Sequence, residues 1–421
     1  MAVKTIEFEE SPTLAMAQAQ LRLERRVPDA ARRQWAESNI GGTGDRLAAN
    51  RFEVYAREQL FLAAEPEREL TLQALRIGRV GIAAIPNEVY AITGLKIKAQ
   101  SPVRRTFNVE LANGAEGYIP PPEQHWLGGY TTWPARTAAL EVEAEPKIVE
   151  AILGLLETVA GEKRRGFPDT TGPYARAILA SRPAAYWRLD EIRPSLAADS
   201  SGNGLTASYE PGVAFYLPGA QVDAHAIADK PENPSTFSGP RINRAPHLAG
   251  GRLRADVPGL GDNYSIEFWF WNALLSDVPP ITGYLFSRGR AGSPQAEQLG
   301  IGGTQLRVGE GRLFFRAGDA AKETVVGRTP LEFRKWHHVA LVRRGSEVRV
   351  YLDGGVSPDL IVAVVGRSEN EASLAFGGHH ESNEATFEGR IDEISVFARA
   401  LTPDEIAAHY RASRSIGQIS N

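Results

Sequence analysis

Between Ala185 and Phe397 the sequence breaks into short alternating apolar runs, and no other feature constrains the fold as tightly. The runs are Ala185–Leu189, Ser265–Trp271, Leu306–Val308, Leu313–Ala317, His337–Arg343, Val348–Leu352, Leu374–Phe376 and Ile391–Phe397. Turn residues separate them. A period of two puts successive side chains on opposite faces, so each run predicts a strand. Asp353-Gly354, after Val348–Leu352, is a hairpin turn signal. Many short strands with Gly-rich turns predict an all-β sandwich or barrel.

The region before it reads differently. Leu14, Leu21 and Val27, set among polar residues, predict a helix over Ser11–Arg26, and a second helical stretch covers Gly44–Ala64. Arg79–Ile85 is a short apolar run ended by Pro86, as suits a buried strand. Val89–Lys98 reads as a helix, and Thr106–Leu111 alternates as a strand. Over Glu145–Ala160 the residues Ile148, Val149, Ile152, Leu155, Leu156 and Val159 have helical spacing. The region is α+β or α/β. Gly161–Gly172 combines charge with Gly, Pro and Thr, which is linker chemistry, and a short helix over Pro173–Ser181 follows. The chain therefore reads as multidomain: an α+β region over 1–160, a linker over 161–172, and an all-β sandwich over 173–421.

Composition removes several function classes. The formal net charge is −4, with no basic footprint of a nucleic-acid binder. The longest apolar runs, Val80–Pro86 and Ile361–Gly366, fall short of the roughly 18 residues a transmembrane helix needs. There are 0 cysteines, so disulfides, thiol nucleophiles and Cys-based zinc sites are excluded. The first residues, MAVKTIEFEESP, hold no apolar core of a secretory signal. Walker A, Gly-x-Ser-x-Gly and HExxH motifs are absent from the sequence.

Four motifs in order characterise the β region: AAYWRLDE (Ala184–Glu191), DSSGNG (Asp199–Gly204), WHHVALVRRGSEVRVYLDG (Trp336–Gly354) and FEGRIDEISVFARALTPDEI (Phe387–Ile406). With SIEFWFW (Ser265–Trp271), they resemble the laminin-G-like, concanavalin A-like jelly roll over about Ala184–Tyr410. The resemblance implies a two-sheet sandwich that binds a glycan or cell-surface ligand. It also implies calcium at the sandwich rim, with Asp199 and Asp392 as candidate ligands and Asn203 as a carbonyl donor. Asp199 and Asn203 equally suit turn residues that bond their own backbone. Trp187, Trp269, Trp271 and Trp336 are candidates for stacking on sugars, with core packing the competing role.

The first region carries QALRIGRVGIAAIPNE (Gln73–Glu88) and FNVELANGAEGYIPPPEQHWLGGY (Phe107–Tyr130). Over about Ala74–Leu156 this resembles the C-terminal part of the catalytic domain of neutral/alkaline ceramidases, which are zinc-dependent N-acylsphingosine amidohydrolases. By that resemblance Glu88 and Tyr118 fall on zinc ligands, and Tyr130 on the catalytic tyrosine that stabilises the tetrahedral intermediate of a lipid amide substrate. Pro-Asn-Glu stands where the family has Pro-Gly-Glu, and no histidine precedes His125, whereas the family's two His ligands lie upstream. Glu88 also suits a helix cap before Val89.

These readings combine into the C-terminal portion of a ceramidase-like zinc amidase fused to a laminin-G-like binding module. The chain is catalytically incomplete unless the missing ligands are supplied. As an N-terminally truncated fragment it is expected from an extracellular or periplasmic, secreted protein. The alternative is a non-enzymatic carbohydrate- or protein-binding adhesion protein.

Overall fold

The computed structural model describes residues 10–40, 47–166, 171–192, 196–220, 236–238, 243–273, 283–289, 296–302, 311–318, 324–365, 372–379 and 386–414. The chain divides into two compact units, Met1–Pro168 and Asp169–Asn421.

The first unit contains β1 (Leu14–Glu24), α1 (Ala30–Asn39), α2 (Arg51–Ala64), β2 (Glu67–Ile77), β3 (Val80–Ala84), β4 (Glu88–Val89), α3 (Ala91–Gln100), β5 (Arg105–Val109), β6 (Tyr118–Ile119), α4 (Pro122–Leu127) and α5 (Ala144–Ala160). Its main sheet runs β1-β2-β3-β5, antiparallel except for the parallel β3–β5 pair. One face is closed by α5, where Ile148, Ile152 and Leu156 pack with Leu23, Leu70, Leu72 and Ala74. The other face carries the cross-strand row Met16, Leu75, Ile82 and Phe107, whose outer members are 54% and 45% exposed.

The helix expected over Ser11–Arg26 is strand β1. Ala, Leu, Met and Gln are good helix formers, but LAMAQAQLRLE also alternates. Its Ala15, Ala17, Leu21 and Leu23 face the core. Pairing along all 11 residues of β1 with β2 overrides the local propensity.

The second unit contains α6 (Pro173–Ala180), β7 (Ala185–Trp187), β8 (Leu196–Ala197), β9 (Ala207–Tyr209), β10 (Val213–Pro218), β11 (Arg244–Ala249), β12 (Leu253–Asp256), β13 (Asn263–Asn272), β14 (Gly283–Arg288), β15 (Glu297–Ile301), β16 (Arg312–Ala317), β17 (Thr324–Pro330), β18 (Trp336–Arg344), β19 (Glu347–Leu352), β20 (Leu360–Ala363), β21 (Ser373–Phe376), β22 (Glu388–Phe397) and α7 (Pro403–Arg414). They form two eight-stranded sheets. One runs β10-β11-β22-β13-β18-β19-β20, with β7 also on β22; the other runs β17-β16-β15-β14-β21-β12-β9-β8. Trp187, Phe268, Phe270, Phe286, Phe315 and Phe376 belong to the core that both sheets share. The run Leu306–Val308 lies outside the described residues.

Two helices cover the outer face of the β13-bearing sheet. Tyr174 and Ile178 of α6 and Ile406 of α7 pack with Trp269, Ala340, Val342 and Phe397. A capping box starts α7: Thr402 Oγ1 accepts from Glu405 N at 3.3 Å, and Glu405 Oε2 accepts from Thr402 N at 2.8 Å. His409 then docks the helices to the sheet. Its Nδ1 lies 2.7 Å from Glu267 Oε2 and its Nε2 2.7 Å from Ser181 Oγ. Gly354, at φ +68°, sits against the Tyr410 ring, where a Cβ has no room.

Candidate functional site

In the first unit the structure brings Glu88, Tyr118 and Tyr130 together. Asn87 is fully buried, and its Nδ2 donates to the carbonyls of Glu116 at 3.1 Å and Gly117 at 3.2 Å. This ties the exit of β3 to the entry of β6. The short β4 and β6 pair in parallel, with Glu88 opposite Tyr118. The Tyr118 ring meets Tyr130 edge-on at 5.5 Å. Hydrogen bonding to Tyr130, and then to Glu88, raises the Tyr118 phenol above the ordinary tyrosine range. His125, on α4, has a buried Nδ1 without a hydrogen-bond partner, and burial followed by the charge of Arg26 pushes its pKa down to about 4.

The donors around Glu88 are therefore one carboxylate and two phenols. A catalytic zinc takes about three protein ligands, dominated by imidazole and carboxylate. Among the described residues no three His, Asp, Glu or Cys side chains converge on one point. The residues present do not fit a catalytic zinc.

The proposed rim acids have structural partners. Asp199 Oδ1 accepts from Tyr186 N at 3.0 Å and Ser201 N at 2.9 Å, and Oδ2 from Ser201 Oγ at 2.8 Å and Leu205 N at 3.0 Å. Burial opposes its ionisation, but these donors outweigh burial and hold Asp199 below the usual carboxylate range. Asn203 Nδ2 donates to the Ala184 carbonyl at 3.0 Å. Asp392 is fully buried; its Oδ2 accepts from Ala220 N at 2.8 Å and Asn243 Nδ2 at 2.6 Å, while Oδ1 has no partner. Burial, then the charge of Glu393, pushes Asp392 well up. Next to it, Glu393 accepts from Tyr186 and pairs with Arg188 at 3.1 Å, locking β7 to β22. The AAYWRLDE and RIDEISVF motifs thus meet in one buried polar lock.

The four tryptophans separate into two pairs. Trp187 and Trp269 are 0% and 6% exposed and belong to the packed interior. Trp271 and Trp336 are half-buried. On β13 the residues Phe268 and Phe270 point into the sandwich, so Trp269 and Trp271 point outward. The helices cover Trp269. One step along the strand, a row crosses four strands: His247 on β11 pairs with Arg390 on β22, Arg390 with Trp271 on β13, and Trp271 with Trp336 on β18. All four side chains are partly exposed. Arg390 Cζ lies 4.5 Å from the Trp271 ring centre, and its Nη1 donates to the Pro218 carbonyl at 2.8 Å. Its Nε is buried without a partner. Burial, then Arg390, lowers the His247 pKa.

Sequence reasoning had named both tryptophans but not His247 or Arg390, because the row exists only once the registers of β11, β22 and β13 are set. His337 and His338 point to opposite faces as alternation requires, yet both are buried, at 8% and 0%. His337 Nδ1 bonds Asp353 at 2.9 Å, and His338 packs between Tyr174, Trp269 and Tyr410.

Residues 250–407 match the family described as the concanavalin A-like lectin/glucanases superfamily, and this segment is a laminin-G-like jelly roll. The match does not extend to the residues of about 74–156, where the expected ceramidase-like domain finds no support. No curated protein matches the chain. Among solved structures, domain 4 of an extracellular arabinanase from Geobacillus stearothermophilus, in complex with arabinotriose, is similar at 22% identity and a TM-score of 0.37, covering 54% of this chain and 98% of that one. The botulinum neurotoxin type G receptor binding domain is similar at 15% identity and 0.38, covering 55% of this chain and 51% of that one. A Trypanosoma rangeli sialidase in complex with 2,3-difluorosialic acid is similar at 15% identity and 0.39, covering 56% of this chain and 34% of that one.

Proposed function

We propose that the second unit is a carbohydrate-binding module whose platform is the row His247, Arg390, Trp271 and Trp336. The carrying observation is the direct pairing of two partly exposed indoles beside the helix-covered part of the sheet, with Arg390 next to them. A sugar ring offers a face of C–H groups and an edge of hydroxyls. The indoles supply a flat apolar surface for the first, and Arg390 and His247 supply polar groups for the second. A guanidinium also favours a glycan carrying carboxylates. For the first unit we attach no catalysis to this chain alone, since the donors at Glu88 include no imidazole.

The test is affinity electrophoresis of the full chain through gels containing neutral or acidic soluble polysaccharides. At least one polysaccharide retards the wild type, and Trp271→Ala or Trp336→Ala weakens that retardation about tenfold, equivalent to about 1.4 kcal/mol. Retardation unaffected by either substitution would place binding elsewhere and refute this platform. No retardation in any gel refutes the carbohydrate reading itself.

A further inference from the structure

Four arginines converge on one concavity of the first unit, and nothing in the ceramidase or jelly-roll readings uses them. The cavity has a volume of about 300 Å³, and its lining includes Arg76, Arg79, Arg104, Arg105, Ala160 and Glu162. Three segments deliver these side chains. Arg76 is the last residue but one of β2, and Arg79 sits in the tight turn into β3, where Gly78 adopts φ +55°. Arg104 precedes β5 and Arg105 opens it, and the parallel β3–β5 register sets Arg105 opposite Val80. Residues far apart in sequence are thus brought to one corner of the sheet.

The four do not have equal roles. Arg76 is structural: Nε donates to the Gly78 carbonyl at 2.9 Å, and Nη1 to the Ala160 carbonyl at 3.0 Å. It ties the turn to the end of α5 and satisfies a carbonyl at that helix terminus. Arg79, Arg104 and Arg105 are exposed, and their side chains make no hydrogen bond or ion pair among the described residues. Elsewhere in this unit arginines do find acids: Arg68 pairs with Glu116, Arg136 with Glu58, and Arg164 with Glu150 and Glu157. Around the cavity four guanidiniums face one carboxylate, Glu162, on a chain whose net charge is −4. Like charges lining one cavity repel one another, and an anion placed among them relieves that repulsion.

We propose that this cavity binds a dianionic phosphate group, with Arg79, Arg104 and Arg105 as its ligands and Arg76 as the floor. Guanidinium forks match the oxygens of phosphate in paired hydrogen bonds, and several forks around one centre favour a dianion over a monocarboxylate. The phosphate belongs either to a small soluble molecule or to a lipid headgroup, since both present the same group to the cavity.

The experiment uses the full chain in low-salt, phosphate-free buffer. Calorimetric titration with inorganic phosphate gives saturable binding that weakens as sodium chloride is added. Arg104→Ala and Arg105→Ala each weaken it about tenfold, the triple variant Arg79→Ala/Arg104→Ala/Arg105→Ala abolishes it, and Arg33→Ala on α1 leaves it unchanged. Flotation with phosphatidylcholine vesicles, with and without phosphatidic acid, distinguishes the sources. Capture only by phosphatidic acid vesicles, lost in the triple variant, assigns a lipid headgroup; phosphate binding without capture assigns a soluble ligand. If phosphate binds the triple variant as well as the wild type, or binds neither, the proposal is wrong. The three side chains are exposed, so their removal leaves the core of the unit untouched.

Discussion

Trp271 and Trp336 stand directly opposite one another across the β13–β18 ladder, and Arg390 is the partner of Trp271 on its other side. Such pairs hold their Cβ atoms about 5 Å apart on one face, so the two indoles act as one surface. The Arg390 guanidinium over Trp271 adds a cation–π contact that orients the ring. Arg390→Ala should therefore weaken glycan binding by about fivefold, and more for an acidic glycan than for a neutral one. In a double-substitution cycle, Arg390 and Trp271 should couple by about 1 kcal/mol. Strict additivity, measured by calorimetry on the retained polysaccharide, would mean that the arginine does not hold the indole.

His409 is predicted to be the most sensitive polar residue in the helical cover. It is 2% exposed and joins Ser181 to the fully buried Glu267. Removing the imidazole leaves a buried carboxylate oxygen without its donor. His409→Ala should cost about 3 kcal/mol, whereas Ser181→Ala, at a partly exposed position, should cost about 1 kcal/mol. Urea unfolding monitored by tryptophan fluorescence reports both. Equal losses would show that the chain from Ser181 to Glu267 is not what docks the helices.

The sandwich was legible in the sequence because its signal is local. Val348–Leu352, Leu374–Phe376 and Ile391–Phe397 alternate over lengths that only strands accommodate, and each lies within an observed strand. The segment from Leu14 was misread because Ala, Gln and Met favour helices while the deciding force, pairing with Glu67–Ile77, is remote in sequence. Glu88, Tyr118 and Tyr130 were grouped in the sequence only through the ceramidase resemblance; their proximity comes from the parallel pairing of the short strands Glu88–Val89 and Tyr118–Ile119 and the contact of the two tyrosine rings. The arginine cavity was not anticipated, since Arg76, Arg79 and Arg104 look like separate solvated charges until the β3–β5 register joins them.

The Glu88 cluster yields a prediction about chemistry. Glu88 and Tyr118 face each other, but the donors include no imidazole, so the full chain should not turn over a fluorogenic ceramide at a useful rate, even with added zinc. Robust hydrolysis that is lost in Glu88→Ala would overturn this and direct attention to His125, whose buried Nδ1 lacks a partner.

Glu191 should contribute more stability to the second unit in mild acid than at neutral pH. Burial raises this carboxyl from 4.5 to about 7, and the bonds it accepts from Ala198 N at 2.9 Å and the Tyr209 hydroxyl at 3.1 Å only partly oppose that rise. Asp392 and Glu393 are raised in the same direction, chiefly by burial. A group whose folded pKa lies above its unfolded value binds protons more tightly in the native state. The stability it contributes is complete below about 4.5 and is lost as pH rises through about 7. Thermal unfolding of the full chain isolates this contribution when wild type is compared with a variant, since burial lowers the pKa of His338 and His247 and their contributions run the opposite way. Glu191→Gln keeps an acceptor for Ala198 N and carries no ionisable group, so it should flatten the part of the slope due to this residue. The quantity to compare is the difference between wild type and variant at each pH, since Asp392 and Glu393 titrate in both proteins. A difference that is constant across the range would show that Glu191 ionises as freely in the folded protein as in the unfolded chain.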